Sequence, residues 1–311
     1  MPDHRFDILP QLKSRGLPAP GPTTMAALLD IVDEGVLGAS NHVALALPLV
    51  AGIASEPRPS ARDEALVVAA FIANTRGLGA PIVANALKWQ TEGVVDLEPA
   101  EAAAVLGERS ARWDVEARAR RTALVSRAVE TLADCPALLI YDYSSTVADI
   151  VRACRPHLDR ILIPESRAID GGRRYMAALA DLGVEMVFLP DAALDWSVGQ
   201  SDAVLLGAES VTIDGAVINT IGSTSAARAA TARGVPVYGA ADLFKVGSLP
   251  MRDIPVPSTR SYDFLLKDGE RASTRAPELE MVPPDLVSGL LTEVGCILPA
   301  DLAAANLSRS D

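Results

Sequence analysis

Between residues 137 and 238 the chain alternates short β-rich runs with segments of helical spacing, and this alternation constrains the fold more than any other feature. The strand runs are 137–141, 160–163, 184–189, 203–206 and 235–238, and the helical segments between them are 145–154, 171–182, 191–197 and 224–233. Strands separated by helices predict a parallel sheet covered on both faces, a Rossmann-like doubly wound arrangement. One stretch breaks the rhythm. Val211-Thr-Ile-Asp-Gly-Ala-Val-Ile-Asn219 reads as a hairpin, with Asp214-Gly215 as a favourable tight-turn pair.

Upstream, from Thr23 to about Asp134, apolar residues recur at helical spacing and almost nothing reads as a strand. The spacing predicts helices over 24–34, 41–54, 61–76, 81–91 and 111–133, punctuated by Pro57, Pro59, Pro81 and Pro99. The expected fold class is therefore α/β: a helical N-terminal domain with a connecting long helix, residues 1–134, followed by a Rossmann-like parallel-sheet domain, residues 135–311. Near the end, 250–257 reads as a loop and Pro283-Pro284-Asp285 as the start of a last short helix.

The core must be aliphatic, because 49% of residues are hydrophobic and only 4% aromatic. A net charge of −12 argues against a phosphate-backbone grip, so no nucleic-acid partner is expected. The densest basic run, 118–121, reads as a solvated helix face, with an anion site as the alternative. Cys135, Cys154 and Cys296 share no CxxC spacing and are odd in number, which fits a reducing compartment without a disulfide frame or zinc cluster. The opening Met-Pro-Asp-His-Arg-Phe-Asp has no targeting pattern, and the longest apolar run, 43–53, is too short to span a bilayer. A cytoplasmic protein without a membrane partner is expected. GxGxxG after a strand, GxxxxGK[ST], HExxH and GxSxG are all missing, which disfavours nucleotide-driven, zinc-hydrolase and serine-hydrolase chemistry. No cofactor and no metal are expected, although a carboxylate pair could hold Mg²⁺ loosely.

Ligands of an open parallel sheet collect beyond the carboxyl ends of its strands. Polar residues stand there in Asp142-Tyr-Ser-Ser145, in Glu165-Ser-Arg167, and in Glu209 with Asn219, Thr220 and Gly222. Paired carboxylates suit proton movement, one as acid and the other as base. Asp142 and Ser144 equally suit capping of helix 145–154, a role compatible with phosphate attraction by free amides at a helix start. Glu165 and Arg167 suit a structural ion pair, and an arginine also suits a phosphate. In the helical half, Asn74-Thr-Arg-Gly-Leu-Gly-Ala-Pro81 sets Arg76 before two glycines that allow close approach, with an exposed loop as the default. His42 reads as structural, and His4 and His157 have no evident partner.

The ordered motifs Ile163-Pro-Glu-Ser-Arg-Ala-Ile-Asp-Gly-Gly-Arg173, Gly207-Ala-Glu209, Asp214-Gly-Ala-Val-Ile-Asn-Thr-Ile-Gly222 and Gly234-Val-Pro-Val-Tyr238 resemble the initiation factor 2B alpha/beta/delta family. Its superfamily includes methylthioribose-1-phosphate isomerase and ribose-1,5-bisphosphate isomerase. The stretch 282–295 looks like the family's terminal segment, and the resemblance covers roughly residues 20–300. It implies a helical domain on a Rossmann-like domain, dimerisation through the latter, and a sugar-phosphate pocket. Relative to the isomerases, Asp142 stands where a cysteine follows the first C-terminal strand, and Glu209 replaces the aspartate of Gly-Ala-Asp. Asn219-Thr220 replaces Asn-Lys, Leu37-Gly38-Ala39 replaces the Arg-Gly-Ala phosphate motif, and Gly171 aligns with a pocket glutamine, while Arg76 matches the phosphate-contacting arginine.

The resemblance thus implies an aldose–ketose isomerase acting on a small sugar 1-phosphate, with Asp142 and Glu209 as acid and base. Gly38, Ala39, Arg76, Ser144, Ser145 and Arg167 would hold phosphate, and Asn219 and Thr220 would orient hydroxyls. A homodimer or higher homo-oligomer is expected. Gly-Ala-Glu209 and Tyr143-Ser144 also resemble the regulatory alpha subunit, which lacks the cysteine. The alternative is a non-catalytic subunit that binds a sugar phosphate or nucleotide.

Overall fold

A computed structural model describes residues 7–32, 39–255 and 258–307. The chain divides into two compact units, Met1–Ala119 and Arg120–Asp311. In chain order the first unit holds α1 (Leu9–Ser14), α2 (Pro22–Val32), α3 (Ala39–Ala54), α4 (Ala61–Asn74), α5 (Arg76–Gly79) and α6 (Pro81–Thr91), followed by the start of α7 (Pro99–Thr131). The helix expected over 61–76 ends at Asn74, because Thr75 leaves helical geometry (φ −113°, ψ −84°) and lets Arg76 start a new turn. The helix expected from residue 111 begins at Pro99, whose missing N–H costs nothing at a helix start. Its alanine-rich first turns lack the apolar contrast from which helical period is read. Leu28, Ile31, Leu47, Val50, Phe71, Ile72, Val83, Leu87 and Leu106 are buried in this unit's aliphatic core.

The second unit runs β1 (Ala137–Tyr141), α8 (Ser145–Cys154), β2 (Arg160–Pro164), α9 (Gly171–Ala178), β3 (Glu185–Leu189), α10 (Leu194–Val198), β4 (Ala203–Gly207), β5 (Ser210–Val211), β6 (Val217–Thr220), α11 (Ser223–Arg233) and β7 (Val237–Ala240). Five further strands follow, β8 (Thr259–Ser261), β9 (Arg275–Pro277), β10 (Leu279–Val282), β11 (Gly289–Thr292) and β12 (Gly295–Ile297), then α12 (Leu302–Leu307). The main sheet has the order β12-β11-β7-β4-β1-β2-β3. All its pairings are parallel except β11 with β12. The chain steps outward from β1 to β2 and β3, then crosses back to lay β4 against the other side of β1. That reversal makes the carboxyl ends of β1 and β4 the topological switch point, where an open sheet leaves a crevice.

Side-chain alternation sorts the sheet into two buried faces. Leu139, Leu162, Val204, Leu206, Val237 and Leu290 pack with Leu194 and Val198 of α10 and Ala226, Ala227 and Ala230 of α11. Leu138, Ile140, Ile161, Ile163, Ala203 and Leu205 pack on the opposite face with Val147, Ile150 and Val151 of α8, Tyr175 of α9, and Leu124 and Ala128 of α7. Every position of β1 and β4 is buried, as a central strand covered on both faces requires. The expected hairpin is present as β5 and β6, paired antiparallel and extended by β10.

Two expectations are corrected here. Pro283-Pro284-Asp285 starts a single 3-10 turn, Pro284–Leu286, rather than a helix, and β11 follows it. A short apolar run such as Gly289-Leu-Leu-Thr292, buried throughout, carries no alternation by which to tell strand from helix. The run 118–121 is not a uniformly solvated face. Arg120 lies four residues before Leu124 and eight before Ala128 on the buried stripe of α7, and its guanidinium stacks 4.0 Å over the Phe244 ring. Arg121 pairs with Asp149 at 2.6 Å.

Within the segment expected as a loop, Met251–Asp253 forms a 3-10 turn, and residues 256 and 257 lie outside the described residues. Among the described residues, no helix is long and apolar enough to cross a membrane. No group of three or more His, Cys, Asp or Glu among them is placed to hold a metal ion.

Candidate functional site

Asp142 leaves β1 at the switch point in the left-handed region (φ 56°), a conformation aspartate tolerates better than most side chains. Its side chain turns inward and is 5% exposed. Oδ1 accepts from the Ser166 hydroxyl at 3.1 Å, and Oδ2 accepts from the Thr220 hydroxyl at 2.7 Å. Burial pushes the acid above its ordinary pKa, and the two hydroxyls, the Tyr143 amide and the Arg174 charge pull it only part of the way back. The carboxylate also dictates its neighbour on α9. A Cβ at position 171 would stand 2.0 Å from Asp142 Oδ1, so Gly171 leaves the space that the acid fills. Positions 142, 166, 171 and 220 meet at one carboxylate.

The rim around it is built closely. The Tyr141 hydroxyl donates to the Ile221 carbonyl at 3.1 Å, and Gly222 (φ 104°) passes where a Cβ would come within 1.9 Å of that hydroxyl. Ser144 caps α8 through its Oγ, which accepts from the Val147 amide at 3.4 Å, while its own amide donates to the Tyr175 hydroxyl at 3.0 Å. Ser145 is the exposed first residue of α8. Beside it the Arg174 guanidinium stacks 4.1 Å over the Tyr143 ring.

Glu209 follows β4, the strand paired with β1. Its amide donates to the Ile218 carbonyl at 2.9 Å, which ties it to the hairpin. The side chain is half-buried, and its carboxylate has no hydrogen-bond or ion-pair partner among the described residues. Next to it, Lys245 Nζ donates to the Ala208 carbonyl at 2.6 Å. Asn219 is buried and donates to Ser223 Oγ at 3.1 Å. Arg167 lies apart from these groups. Its side chain is mostly exposed, 3.9 Å from Glu165 and 5.3 Å over the Phe264 ring.

Two further carboxylates hold the loops in place. Asp191, just past β3, accepts the Ser166 amide at 2.9 Å and the Arg167 amide at 2.8 Å. Glu280 on β10 accepts the Gly222 amide at 2.6 Å and the Thr224 amide at 2.9 Å, at the start of α11.

The N-terminal unit has its own small constellation. Arg76 opens α5 and its Nε donates to Nδ1 of the buried His42 on α3 at 2.9 Å, so His42 has a charged partner rather than standing alone. Ala39 is the buried first residue of α3, and Gly38 lies outside the described residues.

Of the positions singled out by sequence, Asp142 and Thr220 are brought into contact, with Asn219 beside Thr220 on β6 and Ser144 and Glu209 just past β1 and β4. Sequence reasoning missed Ser166, Arg174, Tyr175, Asp191, Lys245 and Glu280. Ser166 sat in the middle of a run already chosen for its flanking charges. The others belong to helices, a late strand or loops that carry no motif.

The sequence model of the Initiation factor 2 subunit family matches residues 81–299. Over 302 residues the chain is 26% identical to the ribose 1,5-bisphosphate isomerase of Haloterrigena turkmenica, covering 90% of this chain and 92% of that protein. It is 27% identical to the ribose 1,5-bisphosphate isomerase of Archaeoglobus fulgidus over 50% of this chain and 52% of that one. It is 26% identical to the translation initiation factor eIF2B subunit alpha of Caenorhabditis elegans over 52% and 54%. The last two alignments span about half the length of each relative.

Among solved structures, the translation initiation factor eIF-2B of Pyrococcus horikoshii superposes with a TM-score of 0.72 at 20% identity, covering 90% of this chain and 98% of that one. The 5-methylthioribose 1-phosphate isomerase of the same organism superposes with a TM-score of 0.69 at 19% identity, covering 93% and 88%. At these identities the two structures establish the fold alone. With the family match extending over most of the chain and the same fold in these neighbours, this protein belongs to the initiation factor 2 subunit family.

Proposed function

We propose that the chain is a sugar-phosphate isomerase interconverting an aldose 1-phosphate and its ketose, with Asp142 and Glu209 as proton carriers. The observation that carries this reading is the pair of carboxylates at the switch point. One is buried and oriented by two hydroxyls, and the other is half-buried and unpartnered on the adjacent strand end. A sugar phosphorylated at C1 opens its ring without losing phosphate only if the ring oxygen is protonated as the bond from C1 to that oxygen breaks. Glu209 in its acid form supplies that proton. Asp142 then takes the proton from C2, giving an enol, and returns it to C1, while the C2 hydroxyl gives its proton back to Glu209. The protons balance over the cycle, and both groups end as they began.

Phosphate falls to the start of α8 at Ser145, beyond the Ser144 amide that Tyr175 already holds. Asn219 orients sugar hydroxyls, and Thr220 does so through its hold on Asp142. Arg167, set toward Glu165 at the surface, has the weakest support among the expected phosphate ligands. Names of relatives support the same substrate class, since proteins similar to this chain are called ribose 1,5-bisphosphate isomerases.

The test is a thermal-shift panel of pentose, tetrose and hexose phosphates, with carbon NMR in deuterated water on each stabilising compound. Conversion to the ketose with solvent deuterium at C1 supports proton carriage by a side chain. Asp142→Asn and Glu209→Gln each lower turnover by about 10²–10⁴-fold. Unchanged turnover of a converted substrate in both variants sinks the assignment.

One observation favours a second reading. Both oxygens of Asp142 are already bonded to Ser166 and Thr220 hydroxyls, as in a site that binds without reacting. The likeness to an eIF2B subunit alpha points the same way. A regulatory subunit predicts stabilisation without conversion. Under either reading we propose a homodimer or higher homo-oligomer, which light scattering measures directly.

A further inference from the structure

The backbone amides that would receive phosphate around the switch point are largely taken by the protein's own anions. Ser166, in a left-handed conformation (φ 48°), turns its amide and that of Arg167 toward a common point, the concave arrangement that binds anions. Asp191 fills it, with both amides donating to its carboxylate at 2.9 and 2.8 Å. The start of the eleven-residue α11 offers the Gly222 and Thr224 amides with the positive end of a helix dipole, and Glu280 Oε1 accepts both, at 2.6 and 2.9 Å. Ser144 gives its amide to the Tyr175 hydroxyl. A phosphate entering any of these positions would have to displace a hydrogen-bonded group. At the first two it would meet a negative charge already seated.

Asp142 and Glu209 add two more carboxylates to the same strand ends. Lys245 is directed to the Ala208 carbonyl and Arg167 to Glu165, while Arg174 stacks over Tyr143, just before the start of α8. Resting on the sugar-phosphate reading above, we propose that Asp191 and Glu280 are built-in anions that close the 166–167 loop and the start of α11 to phosphate. The part of the sugar facing Asp142 therefore bears hydroxyls only, and the ligand is a monophosphate rather than a bisphosphate.

The intact chain is titrated by calorimetry with ribose 1-phosphate and ribose 1,5-bisphosphate, and with the corresponding tetrose and hexose pairs. For the sugar that binds most tightly, the monophosphate is expected to bind at least about tenfold more tightly than the bisphosphate. Asp191→Asn combined with Glu280→Gln, checked for folding by circular dichroism, is expected to narrow that ratio to about threefold or less. Equal affinities, binding of bisphosphates alone, or no response to any monophosphate overturns the proposal on the wild-type chain, without recourse to variants. An unchanged ratio in the folded double variant removes the role assigned to Asp191 and Glu280. Conversion is scored separately. A monophosphate preferred but not converted leaves the inference standing and removes the isomerase, whereas a converted bisphosphate does the reverse.

Discussion

Asp142 sits where it does because position 171 has no side chain. A methyl group there would press on Oδ1 from 2.0 Å, so Gly171→Ala forces the acid out of its bonds with Ser166 and Thr220 and costs about 1–3 kcal/mol of stability, as overpacked sites do. Urea denaturation measures it, and in an Asp142→Ala background the same change should cost less, the remainder coming from the Tyr143 amide nitrogen 2.8 Å from the added Cβ.

Asp142 also writes a pH signature. Its pKa is raised in the folded state, so the native protein holds this proton more tightly than the unfolded chain does. The associated stability is present in acid and lost as pH rises from the ordinary carboxylate range through the folded value. Asp142→Asn does not titrate, so its melting temperature relative to wild type should climb across that window and level off above it. Melts from about pH 4 to pH 8 check the sign.

Asp142, Glu209, Asn219 and Thr220 were legible because each stands at or just past a strand end or hairpin that the sequence marks. Asp191 and Glu280 were not, since Asp191 bonds amides 25 and 24 residues away and Glu280 bonds amides 58 and 56 residues away. Only the folded sheet makes those neighbours.

At the scale of elements, α9 docks on the end of β2 through a second glycine. A Cβ on Gly172 would lie 2.3 Å from the Pro164 carbonyl oxygen and 2.9 Å from the Glu165 Cα, and backbone cannot swing aside as a side chain can. Gly172→Ala is therefore expected to destabilise by about 3 kcal/mol and to lower turnover by shifting the loop that carries Ser166. Denaturation and kinetics on the same preparation read both effects. The central strands were readable because their apolar runs are bounded by helices of clear period. From 275 to 297 four strands of three or four residues follow one another, interrupted by prolines and too short for any period to register. The hairpin was found because Asp214-Gly215 names its turn, whereas its partner β10, about sixty residues later, has no local mark.

For the whole molecule, a ligand that binds only the folded chain stabilises it by mass action, by about 2.7 kcal/mol at a hundred times its dissociation constant. A true substrate should therefore raise the melting temperature steadily with concentration, and a compound without that dependence is no ligand. The sequence announced the α/β class through one change of rhythm near residue 135, while the placement of its own carboxylates against its own amides had no local sign. The interlock at Asp142 has a consequence for descent. A side chain at 171 would press on both the acid at 142 and the Tyr143 amide, so a mutational route on which the glycine precedes the acid, or arrives with it, avoids a destabilised intermediate. A lineage leaving this state meets the same obstacle in reverse, since a side chain at 171 needs both the carboxylate withdrawn and the Tyr143 backbone shifted.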